Sequence, residues 1–401
     1  MSQASGIARR YGSGQPARAR TALMAGAAAL VLLVGACASP AAPAPSAPAS
    51  KPAAAAEASG ASAPAPTAAA QPSAPAPAAS AAAPATGAAS SPPPGPPIKV
   101  RMGLTTPSGS YMPVWVAQEA GYFTQNGIDL DTSLQATNPA AMAAFLANEI
   151  EMFVGAPEAA IAVAVDGGDV TSVGTVLGKI IQALYAQPAI TEPALLKGKN
   201  VGITRFGALS ESAVRYLLRQ WQLDPDTDVS LRQIGGFPEM VAALSSNGID
   251  AGIVAPPFNL GAKDAGMVEL GNLWSAALEY PAISVNVHKQ RTPEQDEMLR
   301  RVMRSLVEGT HRVKTDRAFT VKVLGEKLKS DDARANEDAY DIYSGVFERD
   351  LRVSRAQFQT ALEELARTRP EAASIDPSTM YDNRFVEEIT QSGLVERLYG
   401  R

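Results

Sequence analysis

The sequence predicts an α/β fold of two lobes, preceded by a long N-terminal region that has no folding pattern of its own. Strand-like and helix-like segments alternate from residue 98 onward, which is typical of mostly parallel sheets with right-handed crossovers. The pattern also runs twice, because it restarts after a loop that contains Pro188 and Pro193. We therefore expect two lobes of similar construction.

The elements of the first half follow from the spacing of apolar residues. Alternation predicts strands and a period near 3.6 predicts helices, and Gly121 is expected to end the first helix. Strands are expected near 99–104, 128–134, 152–155, 170–176 and 180–186, and helices near 113–120, 139–147 and 158–165.

The second half repeats this alternation and then becomes helical. Strands are expected near 200–203, 229–234, 251–254, 267–270 and 283–287, helices near 210–221 and 238–246, and longer helical stretches near 293–313, 316–349 (with a break), 354–368 and 382–398. We assign residues 98–187 and 283–401 to the first lobe and 188–282 to the second. The chain should then cross between the lobes near 186–189 and 280–283.

The N-terminus is typical of a bacterial secretory signal peptide, assigned to residues 1–36. Its first twenty residues hold four arginines and no acidic residue, and an apolar run of about sixteen residues follows. The sequence Val34-Gly35-Ala36-Cys37 resembles the bacterial lipobox, which implies cleavage before Cys37 and lipidation of its thiol. An uncleaved signal-anchor helix is the alternative, although the run is shorter than the roughly 20 residues needed to span a bilayer.

Residues 37–97 are expected to form a disordered linker behind the lipidated cysteine. The stretch after Cys37 is almost entirely Ala, Pro, Ser and Gly, with Lys51 and Glu57 as its only charges. Such a composition offers too little apolar surface to build a core. The chain is therefore expected to be exported to the periplasm or cell surface and lipid-anchored to a membrane.

Composition also limits the partners and cofactors of the folded region. A net charge of −5 without a basic patch argues against nucleic acid. The chain has two histidines, His288 and His311, and one cysteine, which leaves too few ligands for an ordinary zinc site. We expect no metal, no cofactor and a monomer.

Several short strings in the folded region carry a family resemblance. They are WVAQEAGYF at 115–123, LKGKNVGI at 196–203, NGIDA at 247–251 and NRFVEE at 383–388. In this order they resemble the substrate-binding proteins of ABC importers in the nitrate, sulfonate, taurine and thiamine-precursor group, often labelled SsuA/THI5-like or NMT1-like. The resemblance implies a type II periplasmic-binding fold, in which two lobes joined by two crossing segments close on a solute held in the cleft between them.

The solute is expected where strands end and helices begin. Four loops fit this position, although each also fits a plain turn or core packing, and Ser210 is expected to cap its helix. Arg205 is the candidate clamp for an anionic group. The candidate residues are Thr105, Thr106, Ser108 and Tyr111 in the first loop, Gly155, Ala156 and Pro157 in the second, Thr204, Arg205 and Phe206 in the third, and Pro256 and Phe258 in the fourth.

The expected function is capture of a small organic solute. An anionic solute is the first expectation, and a neutral pyrimidine or aromatic compound is the second. The resemblance implies delivery to an ABC permease in the membrane, and the same fold also serves lipoproteins that only sense a ligand. Some thiamine-precursor relatives are synthases that use a histidine and an iron centre. His288 and His311 are expected in a late strand and a C-terminal helix, away from the strand-end loops of the second lobe. The chain also lacks GxSxG, P-loop and nucleotide fingerprints, so we expect no enzyme.

Overall fold

The computed structural model describes residues 95–400 of the chain. The predicted signal peptide, Cys37 and nearly all of the linker lie outside these residues. The strands are β1 (Ile98–Leu104), β2 (Ile128–Leu134), β3 (Met152–Gly155), β4 (Thr171–Leu177), β5 (Ala183–Ala186), β6 (Asn200–Ile203), β7 (Ser230–Gln233), β8 (Ala251–Val254), β9 (Val268–Asn272) and β10 (Ile283–Val287).

Helices cover both sheets and form most of the C-terminal part. They are α1 (Met112–Glu119), α2 (Tyr122–Gln125), α3 (Asn138–Leu146), α4 (Glu158–Val165), α5 (Leu209–Gln220), α6 (Phe237–Ser245), α7 (Phe258–Asp264), α8 (Pro293–Thr315), α9 (Arg317–Leu328), α10 (Ala333–Ser344), α11 (Arg355–Ala366), α12 (Arg384–Gln391) and α13 (Leu394–Tyr399). In the part of the chain that the structure describes, no helix is both long enough and apolar enough to cross a membrane.

The strands form two five-stranded sheets with the same plan. The first has the order β2-β1-β3-β10-β4 and the second the order β7-β6-β8-β5-β9. In each sheet four strands run in the same direction, and the fourth in order runs antiparallel to its neighbours on both sides. We call the part around the first sheet (95–177 and 283–400) lobe I and the part around the second (183–272) lobe II. The predicted α/β fold with two lobes is confirmed.

The first crossing between the lobes lies earlier than predicted. Residues 178–182 link β4 in the first sheet to β5 in the second, so the boundary expected after residue 187, with its crossing near 186–189, is several residues too late. The reason is that residues 180–186 are all buried, and a continuously buried strand does not reveal to which sheet it belongs. The return crossing, residues 273–282, ends where β10 begins, as expected.

Close helix packing holds the C-terminal part of lobe I against its N-terminal part. Helix α8 begins with a capping box, in which the Thr292 side chain accepts from the Gln295 backbone and the Gln295 side chain accepts from Thr292. Further along α8, a Cβ added to Gly309 would lie 2.4 Å from the Pro113 carbonyl oxygen of α1. Only glycine allows the two backbones to approach so closely, so this contact fixes the helix that carries the first loop of the cleft.

Candidate functional site

A small cavity lies between the lobes where the strand-end loops meet, with a volume of about 40 Å³. None of the described residues that line it carries a charged side chain. They are Thr105, Thr106, Ser108, Ser110, Tyr111, Asn138 and Ala156 from lobe I, Thr204, Ala208, Leu209, Ser210 and Phe237 from lobe II, and Gln182 and Ile283 at the ends of the crossings.

In lobe I a threonine at the end of β1 is bonded to a tyrosine six residues later. The Tyr111 hydroxyl accepts from the Thr105 backbone N–H at 3.2 Å and lies 2.9 Å from Thr105 Oγ1. Tyr111 is only 1% exposed, and burial raises the pKa of its hydroxyl. The pair therefore presents neutral hydroxyl groups to the cavity.

Lobe II repeats this arrangement after β6. Ser210 Oγ accepts from the Thr204 backbone N–H at 3.1 Å and lies 2.6 Å from Thr204 Oγ1. The expectation that Ser210 caps its helix was wrong. Ala208 occupies the cap position of α5 without a side-chain bond, because the Ser210 hydroxyl is already engaged with Thr204.

Three helices begin at the cavity wall. Asn138 and Phe237 are the first residues of α3 and α6, and Leu209 is the first residue of α5. The first turn of a helix has backbone N–H groups without intrahelical partners, and its dipole is positive there. The cavity therefore combines uncharged walls with a field that favours electron-rich groups.

A buried carboxylate connects the two lobes beside the cleft. Glu158 Oε1, at the start of α4 in lobe I, accepts from Ser212 Oγ of lobe II at 3.2 Å and from the Tyr280 hydroxyl of the return crossing at 3.0 Å. Its Oε2 is buried and has no hydrogen-bond partner within residues 95–400. Burial raises the pKa of Glu158 in spite of these bonds.

Further contacts between the lobes surround the cavity, so the cleft is closed in this structure. The Gly109 N–H donates to the Pro256 carbonyl at 3.5 Å, and Asn138 Nδ2 donates to the Gly207 carbonyl at 3.4 Å. On one side Asn259 Nδ2 donates to Asp338 at 3.1 Å. On the other, Arg219 of α5 forms an ion pair with Glu364 of α11.

A larger cavity of about 660 Å³ lies between α5 and α11. Its three lining arginines are already paired, Arg215 with Glu211 and Asp226, and Arg219 and Arg367 with Glu364. Burial, together with the positive charges of Arg367 and Arg215, lowers the pKa of Arg219 to about 10. Because these arginines are paired and the five acidic lining residues outnumber them, this cavity offers less to an anionic solute than its size indicates.

The structure brings six of the twelve predicted residues to the small cavity. These are Thr105, Thr106, Ser108, Tyr111, Ala156 and Thr204. The other six, Gly155, Pro157, Arg205, Phe206, Pro256 and Phe258, are not among its lining residues.

The predicted residues off the cavity wall have definite positions. Arg205 is half-buried and Phe206 is 50% exposed. Pro256 contributes a carbonyl to the contact with Gly109. Phe258 packs on Phe237, with ring centroids 6.1 Å apart.

Sequence reasoning missed several lining residues, among them Ser110, Asn138, Gln182 and Phe237. Asn138 and Phe237 follow β2 and β7, which were predicted as strands, so their loops were available as candidates. Gln182 had no such signal, because it lies in the crossing whose position was predicted too late.

A family model described as NMT1/THI5 like matches residues 108–316, just over half of the chain. The protein belongs to the NMT1/THI5-like family. The matched range contains β2 to β10 and every residue of the small cavity except Thr105 and Thr106. The resemblance inferred from the sequence is thereby confirmed.

The match to an individual protein sequence is weaker than the match to the family model. The Bacillus subtilis (strain 168) protein YtlA, named as a candidate binding protein, is 25% identical over 154 residues, which is 37% of this chain and 46% of the relative. The match thus spans less than half of that protein's length.

Solved structures show the same fold over nearly their whole length. A protein from Bordetella bronchiseptica RB50 has a TM-score of 0.65 at 19% identity, covering 76% of this chain and 98% of that one. The alkanesulfonate-binding protein SsuA of Xanthomonas axonopodis pv. citri gives 0.59 at 14%, covering 73% and 98%. The nitrate-binding protein NrtA of Synechocystis PCC 6803 gives 0.57 at 15%, covering 74% and 89%.

Proposed function

We propose that this protein is an extracytoplasmic solute-binding lipoprotein that captures a small organic anion by closure of its lobes and delivers it to an ABC permease. The observation that carries the proposal is the cavity between the lobes, walled by strand-end loops of both lobes and by both crossings. The fold shared with proteins named for binding alkanesulfonate and nitrate supports the same use of the cleft.

Closure follows from contacts that only the closed form can make. The bonds of Glu158 to Ser212, Gly109 to Pro256 and Asn138 to Gly207 all join opposite lobes. A solute that bonds to both Thr105 and Thr204 adds to this set and shifts the population toward the closed form by its differential affinity. The closed form is then the one that docks on the permease.

The proposed lipid anchor at Cys37 keeps the binding protein near that permease. A tether raises the local concentration of one partner around the other, and several acyl chains hold a protein on a membrane stably. A Cys37→Ser variant expressed in a bacterial host should move from the membrane fraction to the soluble fraction. Retention of the variant in the membrane would instead favour an uncleaved N-terminal helix.

The binding proposal is tested by a thermal-shift screen of the purified protein against sulfonates, carboxylates, nitrate and pyrimidines. A ligand at a hundred times its Kd stabilises the folded state by about 2.7 kcal/mol. Small-angle X-ray scattering with and without the hit should show a smaller radius of gyration with ligand, as expected for hinge closure. Solute capture is refuted if no compound raises the melting temperature; a hit without compaction contradicts closure alone.

A further inference from the structure

Three side-chain oxygens that act as hydrogen-bond acceptors lie together at the wall of the larger cavity. Ser212 Oγ and the Tyr280 hydroxyl each donate their hydrogen to Glu158 Oε1, at 3.2 and 3.0 Å. Both oxygens keep their lone pairs but have no hydrogen left to donate. The carboxylate adds Oε2, which is buried and has no partner within residues 95–400. Since all three residues line the larger cavity, this part of its wall calls for a donor.

Another glutamate that accepts from a buried tyrosine shows what Glu158 lacks. Glu269 Oε2 accepts from the Tyr185 hydroxyl at 2.7 Å, and Lys263 Nζ lies 3.4 Å from the same oxygen. Although burial raises it, the bonds from Asn272 and Tyr185 and the charge of Lys263 lower the pKa of Glu269 on balance. Burial raises the pKa of Glu158, and the nearby charge of Glu211 raises it further. Glu158 thus has the tyrosine of such a site without its ammonium group.

The rest of the larger cavity suits an organic cation. Its five acidic side chains outnumber its three arginines, which are already paired. Apolar side chains offer a wall for a hydrocarbon chain, among them Ile161, Leu223, Ala361 and Leu365. The volume of about 660 Å³ is within the range of pockets that hold small organic molecules. The larger cavity shares no lining residue with the small cavity, so a ligand held here is separate from a solute held there.

We propose that the larger cavity is a second binding site, which takes a primary amine whose ammonium group donates to Glu158, Ser212 and Tyr280. An ammonium group has three N–H donors and no acceptor, which matches three acceptor oxygens. Its charge stabilises the ionised carboxylate, as that of Lys263 does for Glu269. Because the three oxygens belong to lobe I, lobe II and the return crossing, a bound amine favours the closed form. The site goes beyond the proposed solute capture and does not depend on which solute the small cavity holds.

The test separates the charge from the N–H donors with three probes that share a butyl chain. Butylammonium, butyltrimethylammonium and butan-1-ol are titrated calorimetrically into the purified protein at a constant ionic strength set with sodium chloride. Butylammonium should bind. The trimethyl form keeps the charge but has no N–H, and butan-1-ol has no charge, so each should bind at least tenfold more weakly. Equal affinity for either of these two probes, or no binding of butylammonium, overturns the inference.

Two substitutions test the acceptor oxygens. Glu158→Gln should weaken butylammonium binding about ten- to a hundredfold, the effect of losing a hydrogen bond to a charged group. Its amide oxygen can still accept from Ser212 and Tyr280, so the contact between the lobes is kept. Ser212→Ala removes the acceptor of lobe II, should weaken binding about three- to tenfold, and decides the case if Glu158→Gln does not fold.

The matched control is Glu269→Gln, which changes a tyrosine-bonded glutamate that already has its lysine. It should leave the butylammonium affinity at the wild-type value, and circular dichroism checks that each ligand-free variant keeps the fold. If Glu158→Gln, or Ser212→Ala in its place, binds butylammonium as the wild type does, the ammonium group lies elsewhere and the inference fails. It fails equally if Glu269→Gln weakens binding as much as Glu158→Gln. The screen against anions and pyrimidines uses other probes and decides the proposed function separately.

Discussion

The two lobes present the same construction to the cleft with different side chains. After the first parallel strand of each sheet, a threonine backbone N–H and hydroxyl both contact a hydroxyl six residues later, from Thr105 to Tyr111 in lobe I and from Thr204 to Ser210 in lobe II. The equivalence extends to the sheets, whose strand orders correspond one to one. What differs is the size of the partner, since a tyrosine ring fills space that the serine leaves open.

The remaining equivalent positions make the two walls chemically unequal. The helices that follow the second strand of each sheet begin with Asn138 in lobe I and with Phe237 in lobe II. The loops after the third strand read Gly155-Ala156-Pro157-Glu158 and Ala255-Pro256-Pro257-Phe258. Among the residues that line the small cavity, those of lobe I are thus more polar than those of lobe II.

The largest expected effect comes from substituting the small residues at the end of β3 and directly after β8. A Cβ added to Gly155 would lie 2.4 Å from the ring of Phe153, which is fully buried. Gly155→Ala should therefore lower the free energy of unfolding by about 3 kcal/mol, near the upper end of the range for overpacking. Urea denaturation followed by circular dichroism measures this change.

Its counterpart in lobe II is Ala255→Gly. Ala255 is 1% exposed, so this substitution removes a buried methyl group and adds backbone freedom, at a cost of about 1 kcal/mol. We therefore predict that Gly155→Ala lowers the free energy of unfolding more than Ala255→Gly does. Equal costs would mean that the ring of Phe153 moves aside easily and that the glycine is not required there.

A smaller effect is expected from the hydroxyls that receive the threonine bonds. Tyr111→Phe and Ser210→Ala each leave a threonine backbone N–H without its partner, at Thr105 and Thr204, and both threonines are buried. Each should cost about 1–2 kcal/mol of stability. The two values should agree within the error of urea denaturation if the bonds are equivalent. A much larger cost for Tyr111→Phe would indicate that the tyrosine hydroxyl has a second role.

Sequence reasoning recovered the elements of the fold better than the details of the cleft. Strand and helix positions follow from periodicity and turn signals that are local in sequence. The break expected within 316–349 lies between α9 and α10, at residues 329–332. The loops at Thr105 and Thr204 were found because the ends of strands are predictable once the strands are. The restart of the strand-helix alternation predicted the two lobes, and the family strings added the expectation that they close on a solute.

The rest of the site depends on which loops tertiary packing brings to the same wall. Arg205 was chosen as a clamp for its charge, yet it is not among the residues that line the small cavity. Gln182 escaped notice because a continuously buried segment does not show where one sheet ends and the next begins. The oxygen of Glu158 that lacks a partner within residues 95–400 is visible only when the surrounding atoms are placed.

The smallest expected effect is a pH dependence that distinguishes the two ends of α4. Burial raises the pKa of Glu158 at the start of the helix, so the folded state holds this proton more tightly than the unfolded chain does. The resulting stability is fully present below the ordinary pKa of 4.5 and is lost as the pH rises through the raised value. In Glu158→Gln this decrease of stability with rising pH should disappear, because the side chain no longer ionises. Its uncharged amide oxygen can still accept from Ser212 and Tyr280.

Asp166, at the other end of α4, provides the control of opposite sign. A hydrogen bond from Arg369 lowers its pKa, so its contribution is present above the ordinary value of 3.8 and is lost as the pH falls. In urea denaturation across a pH series, the stability of Glu158→Gln relative to the wild type should rise with pH, and that of Asp166→Asn should fall. If Glu158→Gln instead keeps the wild-type slope, the carboxyl is solvated and the lobes are open in solution, because only closure buries Glu158 between Ser212 and Tyr280.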